Sequence, residues 1–291
     1  MISKRKECQV PYSAGGNYPS VTVPENACDS HHHIYDPVHF PYPDPDLTSP
    51  PPAASDSYQL LQKRLGLTRN VIVTPSVYGT DNGCTLDALK KMGRNARAVV
   101  VIDPSISEEE LIKMNEMGVC GIRFFIPKGG SSDPDLIRKL AGRIAPLGWH
   151  ICFWMSADTT VEMENLLSNL PCPIVFDHRG HLPASEGIRH KAFRIITDLM
   201  KEKKAYVKLS ALYHDSIKEK YSDTKEVGRA YIKAAPDQVL WGTDWPHPSE
   251  YSSKRGMPND ADLLDALYEQ AGDQETMNMI LVDNPARLYH F

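Results

Sequence analysis

The sequence predicts an α/β fold, a (β/α)₈ barrel built from eight parallel strands. Eight short apolar runs alternate with longer segments of helical periodicity along the chain, which is the pattern of repeated βα units. Most runs are continuous stretches of Val, Ile, Leu and Phe, as expected for parallel strands buried on both faces. Eight repeats favour a closed barrel over an open sheet. No Gly-x-Gly-x-x-Gly motif follows the first run, so a dinucleotide-binding version has no support.

The predicted strands and helices follow from these runs and from the residues that bound them. Gly66, Gly93 and Gly118 end three helical patterns, as Gly commonly does at a helix C-terminus. Strands are predicted at 27–33, 71–74, 98–102, 121–125, 151–154, 174–178, 205–209 and 239–242. Helices are predicted at 56–65, 85–92, 108–117, 133–145, 160–167, 188–203, 224–235, 260–271 and 275–282. We therefore expect residues 27–291 to form a single barrel domain.

Two segments lie outside this repeat. Residues 1–26 are polar and rich in Gly, Pro and Ser, which predicts an irregular N-terminal arm. Residues 34–54 form a long, proline-rich loop after the first strand. Prolines restrict a loop to extended conformations, and long loops in compact domains usually have a function. Because the loop leaves the carboxyl end of a barrel strand, where active sites lie, we expect it to form part of a substrate-pocket wall.

The amino-acid composition limits which partners the protein can bind and in which cellular compartment it is expected. The net charge of −5 and the absence of a basic tract on any predicted helix argue against nucleic-acid binding. No apolar stretch of ~18 residues predicts a transmembrane helix, and no apolar signal-peptide region is visible at the start. The six cysteines are scattered, with no Cys-x-x-Cys pair, which indicates free thiols. These features predict a cytoplasmic protein.

The first candidate site motif, Asp29-Ser30-His31-His32-His33, lies at the end of the first strand. Residues two apart on a strand share a face, so we predict that Asp29, His31 and His33 point into the barrel. His32 would then pack against the outside. Two inward imidazoles at this position form half of a metal site, or an electrophilic pocket for a carbonyl oxygen.

The second and third motifs lie at the ends of strands six and eight. Strand parity from Ile174 predicts that His178 points inward, and that Asp177 faces the helices as an ion pair or cap. Asp244 follows the last strand, where a carboxylate can serve as a general base or as a metal ligand. His247, a few residues later, is expected to shape the pocket. All three motifs lie at carboxyl ends of strands, where the catalytic residues of a barrel converge.

Together these motifs resemble the amidohydrolase superfamily, which carries a His-x-His pair on strand one and an Asp on strand eight. The match is strongest to the branch of 2-pyrone-4,6-dicarboxylate lactonases, sugar-acid lactonases and galactarolactone isomerases, and it covers roughly residues 24–291. Its specific pieces include Gly121-Ile122-Arg123-Phe124, Leu147-Gly148-Trp149-His150 and the run from 283 to 289.

The resemblance implies a lactonase, a carboxylic ester hydrolase. Asp244 would activate water, while His31, His33 and His178 would polarise the lactone carbonyl and stabilise the oxyanion. Arg123, at the end of strand four, can bind a substrate carboxylate through two parallel hydrogen bonds. The implied substrate is a lactone carboxylate of the sugar-acid, muconolactone or pyrone type. Further candidate substrate-binding residues are Trp154, which can stack on a ring, Tyr42, Tyr213, Asn82 and His247.

Two departures from the family pattern bear on the metal. Many amidohydrolases have a histidine at the end of strand five, but this strand ends in Phe153-Trp154-Met155, with His150 at its other end. Strand four also offers no lysine for carbamylation, so a binuclear site is not expected. A single Zn²⁺ suits His31, His33, His178 and Asp244, whereas the resembling branch works without an obligatory metal. Both alternatives remain open.

A third departure concerns the substrate. The dicarboxylate lactonase pattern has a basic pair after the Arg123 position, but here the run is Pro127-Lys128-Gly129-Gly130. One guanidinium is therefore missing, which favours a monocarboxylated lactone over the pyrone dicarboxylate. Three alternatives to a lactonase remain: a lactone isomerase with the same residues, a metal-dependent decarboxylase, and a non-catalytic binding barrel.

Overall fold

Eight parallel strands form one sheet in chain order in the computed structural model, which describes residues 8–44, 50–127, 130, 133–216, 218–251 and 256–291. Two backbone hydrogen bonds join the first strand to the segment after the eighth. The N–H of Asp244 donates to the carbonyl of His31, and the N–H of His33 donates to the carbonyl of Trp245, both at 2.8 Å. The fold is therefore a (β/α)₈ barrel, as predicted.

All eight predicted strands are present, with ends that differ by a few residues. They are β1 (Cys28–His32), β2 (Arg69–Val73), β3 (Ala96–Val100), β4 (Val119–Ile126), β5 (His150–Met155), β6 (Ile174–Phe176), β7 (Ala205–Leu209) and β8 (Val239–Trp241). Each strand is buried almost throughout. This burial explains why the strands appear in the sequence as continuous apolar runs.

The helices surround the barrel and mostly match the predicted ones. They are α1 (Ser55–Leu65), α2 (Gly83–Met92), α3 (Glu108–Met117), α4 (Pro134–Ile144), α5 (Ala157–Glu162), α6 (Glu164–Ser168), α7 (Lys191–Lys201), α8 (Leu212–Asp215), α9 (Lys225–Ala234), α10 (Asp260–Ala271), α11 (Gln274–Asn278) and α12 (Asn284–Tyr289). The predicted helix at 160–167 is divided between α5 and α6, and neither short α8 nor α12 was predicted. The predicted helix at 275–282 begins as α11 and continues as a π-helical segment, Met279–Asp283.

The interior of the barrel is filled, and the last helix closes its base. Leu288 and Tyr289 of α12 belong to the same buried cluster as the inward side chains of the strands. The strand residues of this cluster are Cys28, Val71, Val73, Val99, Cys120, Cys152, Val175, Tyr206 and Leu240. A barrel packed in this way is not a pore, so a ligand can enter only from the opposite, carboxyl mouth.

A β-bulge in β1 changes which of its residues point inward. The pairing of β1 with β2 shifts register between Asp29 and His32. The Asp29 carboxylate accepts hydrogen bonds from Tyr58 of α1 and from Thr243, so the prediction that Asp29 shares the inward face is wrong. An extra residue in a strand reverses the alternation beyond it, and His31 is inward for this reason. His32 packs outside, as expected, with its ring stacked on Tyr58 at 3.5 Å.

The N-terminal arm and the loop after β1 are both tied to the barrel. In the arm, the carbonyl of Pro11 accepts from the indole of Trp245, and the Ala14 N–H donates to Pro258. In the loop, Tyr35 and Ala53 pair as an isolated β-bridge. The arm therefore packs beside α10, and the loop returns to the rim of the barrel mouth.

Gly242 is required where β8 approaches β1. A Cβ atom at this position would lie 2.7 Å from both the Cβ and the backbone nitrogen of His31. We expect Gly242→Ala to lower the free energy of unfolding by about 1–3 kcal/mol, because backbone has to move to relieve the clash. Urea denaturation measures this change. Gly142→Ala is the matched control, since Gly142 lies in α4 with no atom within 4 Å of its added Cβ, and it should stabilise slightly.

Candidate active site

Four side chains from the ends of three strands meet at the carboxyl mouth of the barrel. The Nε2 atoms of His31, His33 and His178 lie 3.4, 3.5 and 3.8 Å from Oδ1 of Asp244. The Nε2 atoms of His31 and His33 are 3.3 Å apart. The structure thus brings together the four residues that the sequence predicts as catalytic.

The local backbone explains how His178 and Asp244 reach this point. Both residues adopt left-handed backbone conformations, with φ of 47° and 62°. Such conformations cost energy in residues other than Gly and are concentrated at functional sites. β6 stops at Phe176 and β8 at Trp241, so the two residues lie on turns rather than on the strands themselves.

Neighbouring acceptors and donors fix the orientation of two imidazoles. His33 Nδ1 lies 2.7 Å from the carbonyl oxygen of Val73, which can only accept. His33 therefore carries its proton on Nδ1 and presents a lone pair on Nε2. His178 Nδ1 lies 2.9 Å from the hydroxyl of Ser210, which either donates or accepts. Both rings thus direct Nε2 toward Asp244.

Burial sets the charge of this cluster. His31, His178 and Asp244 are at most 2% exposed. Burial lowers the pKa of His31 to about 3, against the opposing effect of Asp177, and holds the pKa of His178 well below its usual range. Burial alone would raise the pKa of Asp244, but the His178 and His31 imidazoles outweigh it and hold that pKa well below its ordinary value. At neutral pH the cluster therefore combines an ionised Asp244 carboxylate with the neutral imidazoles of His31 and His178.

A buried ion pair lies directly behind His31. Lys208 Nζ is 3.1 Å from Oδ1 of Asp177 and 3.1 Å from Nδ1 of His31, and the same Asp177 oxygen is 3.1 Å from His31 Nδ1. Asp177 also lies 3.4 Å from the guanidinium of Arg123. The prediction that Asp177 faces the helices is therefore wrong: it points into the barrel, and His178 reaches the same site because the chain turns after β6.

Lys208 is a functional candidate that the sequence reasoning missed. It is fully buried on β7, two residues after the inward Tyr206. Burial lowers the pKa of Lys208, but Asp177 outweighs burial and raises it; in return Lys208 helps to hold the pKa of Asp177 well below its usual range. The sequence did contain a signal for this role, namely a lysine within an apolar strand that was predicted to be buried. A buried ammonium group requires a charged or hydrogen-bonding partner, so such a lysine indicates a buried polar site.

The cluster opens into a cavity of about 330 Å³. Arg123 is 7% exposed and lines it, as do the stacked rings of Trp154 and Phe125, whose centroids are 4.3 Å apart. Pro50 contributes from the loop after β1, which supports the expected wall. The described lining residues are His33, Tyr35, Pro50, Pro75, Ser76, Val77, Arg123, Phe125, Trp154, His178, His214, Asp244, Pro248 and Ser249.

Four predicted substrate-binding residues lie elsewhere among the described residues. Tyr42 donates to the carbonyl of Pro50 and so supports the loop. Asn82 bonds to Thr74 and to the backbone of Val101, at the ends of β2 and β3. Tyr213 and His247 are fully buried behind Asp244.

The sequence reasoning did not single out His214 as a cavity residue, although it lines the cavity beside Ser249. At the other end of the barrel, His150 occupies the predicted far end of β5 and packs near Tyr289. Lys128, the basic residue in the run after β4, lies outside the described residues.

The donor set fits a divalent cation. His31, His178 and Asp244 offer ligand atoms that all lie within 4.8 Å of one another, and His33 Nε2 adjoins them. The separations of 3.3 to 3.8 Å are close to the spacing of about 3.4 Å between ligands of a tetrahedral Zn²⁺ site. The lone pair of His33 Nε2 and the carboxylate behind His31 Nδ1 are also typical of ligating histidines and their supporting groups.

The fold and the site define an enzyme of the barrel-hydrolase class, with imidazoles and one carboxylate at the carboxyl mouth. The amidohydrolase family model matches residues 28–291, so the chain belongs to the amidohydrolase family. No helix within the described ranges is both long and apolar enough to cross a membrane.

Two relatives carry names from the predicted branch, and one solved structure shares the fold. A 4-sulfomuconolactone hydrolase of Hydrogenophaga intermedia is 34% identical, over 92% of this chain and 89% of its own length. A 2-pyrone-4,6-dicarboxylate hydrolase of Comamonas testosteroni is 34% identical, over 95% of this chain and 94% of its own. An apo crystal structure of an Agrobacterium tumefaciens protein superposes with a TM-score of 0.84 at 26% identity, covering 96% of this chain and 98% of that one.

Proposed function

We propose that this protein is a hydrolase that opens the ester ring of a carboxylated lactone. The observation that carries the proposal is the convergence of three imidazole Nε2 atoms on Oδ1 of one buried, ionised aspartate. Arg123 and an aromatic wall line the same cavity. The relatives named as lactone hydrolases support this reaction class.

Asp244 acts as the general base in this scheme. Its carboxylate takes a proton from water as the water oxygen attacks the ring carbonyl carbon. The tetrahedral intermediate collapses with cleavage of the bond between the carbonyl carbon and the ring oxygen. Asp244 returns the proton to that leaving oxygen, and the product is a hydroxy acid with one more carboxylate than the substrate.

The imidazoles and the ammonium behind them stabilise the oxyanion. His178 can donate from Nε2 when Ser210 donates to its Nδ1, and His31 can donate from Nε2 when Lys208 donates to its Nδ1. His33 cannot do so as a neutral ring, because its proton lies on the side of Val73. Donors aimed at developing negative charge in a water-poor site are a strong catalytic device.

A divalent cation would be held by His31, His33, His178 and Asp244. When bound, it would polarise the carbonyl and lower the pKa of water. Treatment with a chelator distinguishes the two forms of the site. Activity that survives chelation assigns oxyanion stabilisation to the N–H groups, whereas activity that is lost and restored by Zn²⁺ assigns the four residues as ligands.

Arg123 is placed to bind the substrate carboxylate. Its Nε–H is buried and has no acceptor in the described part of the chain, so a donor remains for a ligand. We expect Arg123→Lys to raise KM for a carboxylated lactone about 10- to 100-fold, because the fork of parallel donors is lost while a positive charge stays near Asp177. Steady-state kinetics checks this prediction. A lactone of the same ring without the carboxylate is the control, and its kcat/KM should change little; equal losses for both lactones would contradict the role.

Product analysis tests the proposed reaction. The protein is incubated with sugar-acid, muconolactone-type and pyrone-carboxylate lactones, and the products are identified by NMR. Ring-opened hydroxy acids support a hydrolase. A rearranged lactone would instead identify an isomerase, and loss of a carboxylate as CO₂ a decarboxylase.

We also propose the cytoplasm as the compartment of this enzyme. All six cysteines are free thiols in the structure, which suits a reducing environment.

A further inference from the structure

We propose that Tyr213, His247 and Asp260 form a hydrogen-bonded chain that holds the carboxylate of Asp244 in its reactive orientation. This role deepens the proposed lactonase mechanism and rests on it. None of the three residues is among the described residues that line the cavity. All three are fully buried, so they are placed to act through Asp244 rather than on the substrate.

Consecutive contacts run from Asp244 away from the cavity. Tyr213 Oη lies 2.5 Å from Oδ2 of Asp244 and 2.9 Å from Nδ1 of His247. His247 Nε2 lies 3.2 Å from Oδ2 of Asp260. The three residues come from α8, from the segment after β8 and from the first turn of α10. This chain of contacts is therefore built from separate elements that meet only in the folded barrel.

The direction of each hydrogen bond follows from the available protons. Tyr213 has one hydroxyl proton, and its short contact is with a carboxylate, which only accepts. That proton is therefore donated to Asp244, and the Tyr213 oxygen accepts from Nδ1–H of His247. His247 donates through Nε2–H to Asp260.

The far end of the chain of contacts is anchored by the N-terminal arm and by α1. The hydroxyl of Ser13 bonds to Oδ2 of Asp260, and the buried guanidinium of Arg64 lies 4.0 Å from the same oxygen. Arg64 also donates to the carbonyl of Gly15 in the arm. The arm thus contributes to the position of Asp260, and through it to the position of Asp244.

In this arrangement the two carboxylate oxygens of Asp244 have different roles. Oδ2 is engaged by Tyr213, whereas Oδ1 faces the Nε2 atoms of His31, His33 and His178. Oδ1, which is not bonded to Tyr213, is then the oxygen placed to take a proton from water. Tyr213 and His247 are positioning residues, because they act through Asp244.

Kinetics of Tyr213→Phe tests this assignment, since the variant removes only the hydroxyl. We expect kcat on a carboxylated lactone to fall about 10- to 100-fold with KM unchanged. His247→Gln should lower kcat as well. The double variant should lose no more than Tyr213→Phe alone, because His247 acts only through Tyr213.

Tyr231→Phe is the matched control, because Tyr231 is equally buried and its hydroxyl donates to the backbone carbonyl of Arg179. It should keep both kcat and KM. A rise in KM alone in Tyr213→Phe would overturn the proposal in favour of a substrate contact. Additive losses in the double variant, or an equal loss in Tyr231→Phe, would overturn it as well.

Crystal structures of the wild type and Tyr213→Phe give a readout that needs no activity. We expect the Asp244 carboxylate to rotate in the variant, so that its Oδ1 leaves the three Nε2 atoms while the imidazoles stay in place. An unmoved carboxylate would overturn the proposal. If the wild type opens no lactone, the proposed function fails, and this comparison still decides whether Tyr213 positions Asp244.

Discussion

Asp244→Asn should lower kcat for lactone opening by about 10²- to 10⁴-fold, the range expected when a general base is removed. The amide keeps the size of the side chain and can still accept a hydrogen bond from Tyr213, so the fold should be retained. It cannot take a proton from water, because an amide has no basic oxygen at neutral pH. KM should change little, since Arg123 is the residue proposed to bind the carboxylate of the substrate. Initial rates at saturating substrate measure this effect.

The control for this substitution is Asp158→Asn. Asp158 lies in α5 and pairs on the surface with His190 at 3.3 Å, away from the cavity lining. The Asp158→Asn substitution should leave kcat and KM unchanged. Retention of wild-type kcat by Asp244→Asn would remove the proposed base from the mechanism.

Lys208→Met should produce the largest loss of stability, about 3–5 kcal/mol in the free energy of unfolding. The substitution keeps the volume of the side chain but leaves Asp177 as a fully buried carboxylate with only the more distant Arg123 as a charged partner. Removing one member of a buried pair costs more than the pair contributes, because the remaining charge has no compensation. Denaturant titration at neutral pH measures the change.

Two further variants distinguish the cost of leaving Asp177 unpaired from the cost of removing any positive charge. Lys91→Met breaks a surface pair with Asp87 in which the two side chains are 54% and 36% exposed, and it should cost less than about 1 kcal/mol. The double variant Lys208→Met/Asp177→Asn should lose less than the sum of the two single variants, because the charges compensate one another. A loss in Lys208→Met as small as that in Lys91→Met would show that Asp177 does not depend on Lys208.

The barrel was predictable because its strands are buried on both faces and therefore stand out as apolar runs. The four central residues were predictable for a related reason: residues at the carboxyl ends of barrel strands converge wherever the barrel closes. To predict that His31, His178 and Asp244 meet, it was enough to locate them at those strand ends. The distances between their side chains and their charge states could be obtained only from the structure.

The errors arose where the inward face of a strand was assigned from a residue that does not share that face. The bulge between Asp29 and His32 places these residues so that Asp29 points outward although His31 points inward. In β6 the inward residue is Val175, so Asp177 shares its face, and the turn after the strand brings His178 to the same site. Counting alternate residues along a strand gives the wrong face beyond a bulge, or when the count starts from an outward residue. The partners of Lys208 and Tyr213 could not be predicted for a different reason. Each of these two residues contacts a residue about thirty positions away in the chain, and the periodicity of a sequence carries no information on such pairs.

In the proposed mechanism, water activated at Asp244 opens the ring of a carboxylated lactone. The most direct test runs the reaction in isotopically labelled water, with heavy oxygen, and locates the label in the product by mass spectrometry and NMR. We expect one labelled oxygen per product, in the newly formed carboxylate, and no labelled product from Asp244→Asn within the same time. An unlabelled product, or a label in the hydroxyl group instead of the carboxylate, would contradict it.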